Sequence, residues 1–496
     1  MLEVVVDNRV RLCADGMEPE LVSALKEAFE HPNPAFELRR AIGVPTWGEP
    51  RTIRTWHMEH EFTDGARRLM LTLPRGGLQR VRDALAEHGV DWREVDDREP
   101  GLPADIPDHL VKLHGFQGDL MHAAMEKQNC ILRSSTGSGK TVIAFGLAAA
   151  LKLPTVVVVS KRALFDQWIR RAHSELGLRP GQVGQIRGGA WRVGDLTVAM
   201  QKTLALAFER ADPRALKLAD ETGVLIADEV HLFAAKSFIQ AIDPFRAKYR
   251  VGVSDDHRRK DKKEFLVHDV FGVVAAEVGR KALVEAGFIL DVEVRVVPTA
   301  FEAPWYGMPT GDEDPKELDF DRLLKEMAAD DARTKLALDV AQREVEAGEQ
   351  VLLMTHQRDL CRKLDQALAH RDVRTGFLVG DAPAEFERTV RDLAKGKVRA
   401  AVGTYQAMGT GLDLPRVAVG IAVTPIAGNQ QFVSQVCGRL CRTSDGKKAA
   451  RLYYLLDPVY GDRHLRNLVK WNRKVVVWRG GKWVDAAKVL RPGRAA

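Results

Sequence analysis

Residues 131–151 read ILRSSTGSGKTVIAFGLAAAL. Within them the run Thr136-Gly137-Ser138-Gly139-Lys140-Thr141 joins a short apolar, strand-like segment to a strongly helical one, and that order gives its residues a chemistry. Gly137 and Gly139 let the backbone turn tightly with nothing projecting from the turn. Backbone N–H groups of the turn, those of Thr136 and Ser138 included, then point with the helix amino terminus at one spot and favour an anion there. Lys140 adds a point charge suited to the β- and γ-phosphates of ATP, and the Thr141 hydroxyl suits a Mg²⁺ ion. The pattern G-x-x-x-x-G-K-[ST] is broken once. Ser134 stands six residues before Lys140, where glycine is usual, and a small residue at a strand exit fills that place.

A phosphate cradle of this kind needs an acid on a neighbouring strand. Residues 223–231, GVLIADEVH, supply a pair. Asp228 closes an apolar strand and can hold Mg²⁺ through water; Glu229 is then placed to take a proton from an attacking water. His231, three residues after Asp228, is a candidate for touching the nucleotide or relaying its state.

These residues must be positioned by a substantial scaffold. A chain of 496 residues is too long for one core, so two to four domains are expected. Its 45% hydrophobic and 29% charged content is that of an ordinary globular protein. The longest apolar run, around residues 142–160, is broken by Lys152 and Pro154, so no membrane span is expected. The amino terminus, MLEVVVDNRVRL, has no basic region leading into an apolar one, so no secretion signal is expected. The five cysteines, at 13, 130, 361, 437 and 441, form no CxxC pair and suit a reducing, cytoplasmic compartment. Cys437 and Cys441 can share a helix face, and two thiols without histidine partners read as packing.

Short apolar runs alternate with helical patterns after residue 110: CILR, TVVVVS, LTVAM, GVLIADE and YRVGVS, then QVLLMTH, TGFLVG, RAAVGT, VAVGIAVT and RLYYLLD. Unbroken runs of this kind suit parallel strands covered on both faces. The expected fold is α/β, with two tandem parallel-sheet domains at 110–290 and 291–457. A small α+β domain at 1–98 precedes them, followed by a proline-bearing acidic linker at 99–109, and a basic extension at 458–496 ends the chain. Residues 301–321 read as an acidic surface loop. Residues 1–100 carry 14 Lys/Arg against 19 Asp/Glu, whereas residues 439–496 carry 15 against 4. A basic end on a near-neutral body suits a polyanion partner, because Lys and Arg release counterions from phosphates.

The phosphate loop, the D-E-V-H at Asp228–His231 and the later QVCGRLCR at 435–442 together resemble the superfamily 2 helicases and translocases of the DEAD/DEAH type. The resemblance spans about residues 110–445. It implies two RecA-like domains with Mg-ATP bound between them. LHGFQGDLM is similar to the family's Q motif, making Gln117 a candidate for adenine contact and Phe116 for ring packing. VVVVSKRALFDQW and VAMQKTL resemble segments that meet a nucleic-acid backbone, implicating Ser160, Lys161 and Arg162, then Gln201 and Thr203. AVGTYQAMGTGLDLP is similar to motif V, with Thr404 as a phosphate contact and Gly411 and Asp413 as links to the nucleotide. QVCGRLCR matches Q-x-x-G-R-x-x-R. The resemblance makes Arg442 the arginine finger, a group worth roughly 10³ to 10⁵ in turnover, with Arg439 beside it and Gln435 orienting water or phosphate. A spacing of three places both arginines on one helix face.

One motif departs. Where the family shows Ser-Ala-Thr, this chain has Ser254-Asp255-Asp256, followed by a basic cluster of Arg258, Arg259, Lys260, Lys262 and Lys263 that reads as a solvated surface. The change puts simple unwinding in doubt relative to duplex translocation or branch remodelling. The layout is most similar to the XPB-related branch and the phage UvsW-type recombination helicases, which implies a DNA helicase or translocase acting on duplex, forked or branched DNA in repair or recombination, with single-stranded DNA a further candidate. Rival readings are an RNA helicase, a nucleic-acid-binding scaffold with a vestigial ATPase, and a motor subunit of a larger repair or defence complex. The amino-terminal domain would then dock protein partners or select substrate. In the tail, Trp471, Trp478 and Trp483 lie among Arg and Lys. They suit either base stacking or a hairpin packed on the second motor domain, with RGG as its turn.

Overall fold

The computed structural model of the chain describes residues 1–63, 65–108, 110–230, 235–255, 261–306, 320–380, 382–408 and 414–490. His231, Asp256, Arg258, Arg259, Lys260, Gly411 and Asp413 lie outside these residues. The chain forms two compact units, Met1–Gly279 and Arg280–Ala496, each with an eight-stranded, mostly parallel sheet.

The first unit begins with a five-stranded sheet in the order His57–Thr63, Ala66–Pro74, Arg9–Cys13, Leu2–Val6, Trp92–Asp96. Strict alternation puts Val4, Val6, Val10, Leu12, Leu71 and Leu73 on one face, where they meet Leu21 and Leu25 of helix Pro19–Glu27 and Val81 and Leu85 of helix Leu78–Glu87. That period-two pattern builds a half-buried sheet, antiparallel except where Trp92–Asp96 joins Leu2–Val6 in parallel, and its helices close the buried side.

This small domain is fastened to the rest of the unit by buried charge. Arg75, 2% exposed, donates from Nη1 to the carbonyls of Asp7 (3.1 Å) and Ala247 (2.8 Å) and from Nε to Asn129 Oδ1 (3.0 Å). Arg250 reaches back to Asn8 O at 3.2 Å and Phe245 O at 2.6 Å. Burial, then the charge of Arg250, pulls the Arg75 guanidinium well below its usual value. Asp269, on helix Phe265–Phe271, is the anionic counterpart. It accepts from Thr55 Oγ1 (2.6 Å) and from Arg80, and His31 Nε2 lies 2.9 Å from its Oδ2. Gly76 permits this close approach, since a Cβ there would stand 2.3 Å from His268 O.

The chain between the two domains of this unit lies against the sheet. Glu99 bridges Ala247, Ala104 N donates to Lys152 O at 2.9 Å, and Ile106 is 2% exposed within the core. The large sheet that follows has the order Ala190–Arg192, Val183–Arg187, Leu196–Met200, Thr155–Val159, Val224–Asp228, Tyr249–Ser254, Asn129–Ser134, Val274–Val278. All its pairs are parallel except the edge hairpin. Every residue of Thr155–Val159 and Val224–Asp228 is buried, as two-sided helix cover requires.

The second unit orders its sheet as Thr375–Leu378, Ala400–Thr404, Val351–Thr355, Val419–Ala422, Ala450–Leu456, Val292–Pro298, Lys474–Arg479, Lys482–Asp485. Val292–Pro298 was absent from the expected strand set because its alternation of Val with Glu and Arg hides it among apolar runs; it pairs with Ala450–Leu456 and Lys474–Arg479. The last two strands form a hairpin turned by Gly480-Gly481. Trp483 packs edge-on to Tyr453 (6.1 Å) and Trp478 (5.0 Å), under the Arg295 guanidinium. Arg333 and Asp457, both fully buried, pair bidentately at 2.8 and 3.0 Å. Phe301 and Ala303, expected in a surface loop, are buried against Leu323, Met327 and Tyr460; residues 307–319 lie outside the described ones. No described helix is long and apolar enough to cross a membrane.

The Asp269 carboxyl sits below the ordinary carboxylate range: burial opposes this, but His31, Arg80 and Thr55 outweigh it. A depressed carboxyl contributes stability that is present above its unfolded value, near pH 4, and lost as pH falls through the folded one. Asp269→Asn should therefore cost about 3 kcal/mol at pH 7, and in thermal melts the gap from wild type should close as the pH drops below about 4. A gap constant with pH would remove the charge from this account.

Candidate nucleotide-binding site

Three parallel strands carry the site at their carboxyl ends. Tyr249–Ser254 lies between the other two, pairing Val253 with Asp228 on one side and Ser254 with Arg133 on the other. The phosphate loop leaves Asn129–Ser134 and enters helix Lys140–Leu151. Gly137 and Gly139 have φ of +95° and +84°, values that only glycine adopts readily. Ser134, the departure from the glycine pattern, is fully buried and donates to Ser138 Oγ at 2.5 Å, so its hydroxyl ties the strand exit to the loop it begins.

Gln117 braces the loop from outside. Its amide donates to Ser138 O at 2.8 Å and accepts from His114 N at 3.0 Å, capping helix Gly115–Lys127. A Cβ on Gly139 would stand 2.6 Å from its Nε2. Phe116, half-buried, is packed against the core of the same domain.

The loop lysine meets the paired acids. Lys140 Nζ is 2.8 Å from Glu229 Oε1, with both side chains largely buried. Burial would lower the Lys140 ammonium, but Glu229, Asp255 and Asp228, in that order, hold it above the usual lysine value. Burial and then the charge of Glu229 push the Asp228 carboxyl above its usual range, against Lys140 and Trp168. Glu229 has φ of +55°, a strained value for a residue with a Cβ; its N–H donates to Val253 O at 2.8 Å, which holds it there. Asp228 with the Thr141 hydroxyl is a set of hard oxygen donors that fits Mg²⁺.

Two contributors were not foreseen. Trp168 Nε1 donates to Asp228 Oδ2 at 2.8 Å. The indole is 2% exposed on the buried stripe Leu164, Phe165, Trp168, Ala172 of helix Arg162–Glu175, and that periodicity announces only packing. Asp255 Oδ2 accepts from Thr136 Oγ1 at 2.8 Å, so part of the altered motif faces the phosphate loop.

Residues 110–254 match the family model described as the Type III restriction enzyme, res subunit. The probable helicase D10 of Escherichia phage T5 is 23% identical over 406 residues, 81% of this chain and 82% of that protein. A putative DNA 3'-5' helicase Rad25 of Halobacterium salinarum is 26% identical over 368 residues, 73% of this chain but 57% of that protein, so the chain spans little more than half of that relative. Over most of its length the chain is similar to proteins named as helicases. Two solved structures share its fold. Saccharomyces cerevisiae Dbp5, bound to RNA and ADP BeF3, has a TM-score of 0.54 at 12% identity, covering 74% of this chain and 90% of its own. A putative HsdR subunit of a type I restriction enzyme from Vibrio vulnificus has a TM-score of 0.54 at 13% identity, covering 90% and 83%. The two large, mostly parallel sheets thus share the tandem α/β fold of these two structures.

The other candidate residues fall into two groups. In the first unit, Lys161 and Arg162 are exposed and Ser160 is half-buried at the end of Thr155–Val159. Gln201 is buried with its amide on Ser237 Oγ (2.9 Å), and Thr203 Oγ1 accepts from Gly188 N (3.2 Å). In the second unit, buried Thr404 accepts from Ala407 N at 3.2 Å. Gln435 and Arg439 lie on helix Gln430–Leu440. Arg442 does not share their helix face, contrary to the spacing argument. The helix ends at Leu440, where Lys447 Nζ donates to Leu440 O (2.7 Å) and Leu290 N to Cys441 O (2.7 Å), and Arg442 bridges Ile289 in extended backbone. Cys437 and Cys441 are buried, and burial pushes the Cys437 thiol up to about 12.

If the Trp168 bond orients Asp228, Trp168→Phe should keep the ring's packing while raising the Mg²⁺ needed for half-maximal ATP turnover about tenfold. Titration of turnover against Mg²⁺ reads this directly; an unchanged midpoint would leave the indole a packing residue.

Proposed function

We propose that the chain is an ATP-dependent DNA helicase or translocase that couples ATP hydrolysis to movement along DNA and the remodelling of duplex or branched structures. The observation that carries this reading is the Lys140–Glu229 pair at 2.8 Å beside a Trp168-oriented Asp228, all at the strand ends that bear the phosphate loop. The names of the relatives, which include DNA 3'-5' helicases, support DNA as the track.

In this reading Lys140 and the loop N–H groups bind the β- and γ-phosphates. Phe116 packs the adenine, and Gln117 joins the adenine pocket to the phosphate loop it braces. Asp228 and the Thr141 hydroxyl would hold Mg²⁺, which would supply charge neutralisation at the phosphates. Glu229, whose left-handed backbone fixes its carboxylate beside Lys140, takes the proton of the attacking water. Arg442, with Arg439 and Gln435, supplies positive charge and orientation to the transferring phosphoryl group. His231, Gly411 and Asp413 are assigned to nucleotide sensing. Ser160, Lys161, Arg162, Gln201, Thr203 and Thr404 are assigned to the nucleic-acid backbone, where phosphate contacts position the track without reading its sequence. The amino-terminal domain is the surface for substrate selection or protein partners, and the cytoplasm is the proposed place of action.

ATP turnover should be measured alone and with single-stranded DNA, duplex DNA, a forked junction and a matched RNA. Stimulation by duplex or forked DNA above the others is expected. Stimulation by RNA alone would move the protein to RNA remodelling, and a flat response would sink the motor reading. Lys140→Ala should reduce turnover to background while leaving DNA binding within about twofold, because the lysine serves phosphate rather than DNA. Turnover that survived would refute the assigned cleft.

A further inference from the structure

The altered third motif carries an inference of its own, resting on the nucleotide-site reading above. Asp255 directly follows the strand that lies between the phosphate-loop strand and the strand of Asp228. This position brings its carboxylate to the loop itself, where Thr136 Oγ1 donates to Oδ2 at 2.8 Å. The family pattern has an apolar alanine here. In this chain a third carboxylate joins Asp228 and Glu229 around one lysine.

We propose that Asp255 is a charge that competes with the nucleotide's phosphates for the phosphate loop, so that ATP or ADP binds only as the Thr136–Asp255 bond is given up. Two features support it. The loop's donors are built for an anion, and Asp255 already delivers one to its second residue, Thr136. The Lys140 ammonium feels Asp255 second only to Glu229 among the carboxylates, so removing that charge leaves more of the lysine's field for phosphate. Like charges held a few ångströms apart in a partly buried site repel strongly, and a hydrogen-bonded carboxylate in the phosphates' neighbourhood has to move, or be neutralised by Mg²⁺, when they arrive. Asp255 thereby acts as a positioning residue for the loop.

The discriminating measurement is the affinity of full-length protein for a fluorescent ADP, the N-methylanthraniloyl derivative, with Mg²⁺ and with EDTA. Asp255→Asn keeps the shape and an acceptor for Thr136 but removes the charge; Asp255→Ala restores the family's residue. Both should bind ADP on the order of tenfold more tightly in EDTA, with a smaller gain in Mg²⁺, so that nucleotide binding depends less on the metal. Melting temperature guards against a variant that misfolds, and either variant alone suffices for the comparison. Unchanged or weaker affinity in a folded variant would overturn the proposal, since a purely structural Asp255 would give looser binding on removal. Wild-type protein that binds no ADP, and is indistinguishable from Lys140→Ala, would instead overturn the nucleotide-site reading itself.

Discussion

The parallel pairing of three strands is the constraint on which the site depends. Strands in such a sheet lie about 4.8 Å apart, and their register brings the ends of Asn129–Ser134, Tyr249–Ser254 and Val224–Asp228 to one edge. A one-residue slip would turn Asp228 to the other face. With the register fixed, the phosphate loop, the paired acids and Asp255 converge, although the acids follow the loop by about ninety residues and Asp255 by about one hundred and twenty. The apolar residues that hold the register, Val156–Val159, Leu225–Ala227 and Val251–Val253, take no part in chemistry, yet they determine where it occurs.

Charge is used in two ways in the first unit. At the site, Lys140 stands among three carboxylates, an arrangement suited to receiving phosphate and metal rather than to stability. Under the amino-terminal domain, Arg75, Arg250 and Asp269 are buried, and each makes at least one hydrogen bond across the junction between the two domains. Buried ion pairs add little net stability but penalise any mismatch severely. Such a junction therefore fixes one orientation of the small domain more than it adds strength. The fit of Gly76 against the turn of helix Phe265–Phe271 has the same effect sterically.

The second unit solves its own packing with a comparable device. The Arg333–Asp457 pair joins helix Asp331–Glu346 to the end of strand Ala450–Leu456, with Thr299 Oγ1 adding a bond to Asp457 at 2.6 Å. The basic, tryptophan-bearing tail completes the sheet instead of hanging from it: Trp483 is committed to Tyr453 and Arg295, while Trp478 is 40% exposed.

The sequence by itself determined the α/β class, the two parallel sheets and the strand, glycine turn and helix of residues 129–151, because each rests on local pattern. Glycine at positive φ, a strand-to-helix switch and unbroken apolar runs are properties of a few neighbouring residues. The places of Lys140 at a helix start and of Asp228 and Glu229 at a strand end were legible for the same reason. Strand Val292–Pro298 was not, since its alternation marks a half-buried strand while its place inside the sheet is set by pairing with residues some 160–180 positions later. The bond of Trp168 to Asp228 was not legible, because helical periodicity says which face is buried, not which polar atom the buried ring will meet. Arg442 was placed on a helix by its spacing, but the helix end was decided by Leu290 and Lys447, which claim the last carbonyls. Only the tertiary structure could place Gln117 on the loop before Lys140 and Asp255 on Thr136, because the packing of a helix and the register of the sheet choose partners that sequence neighbours do not reveal.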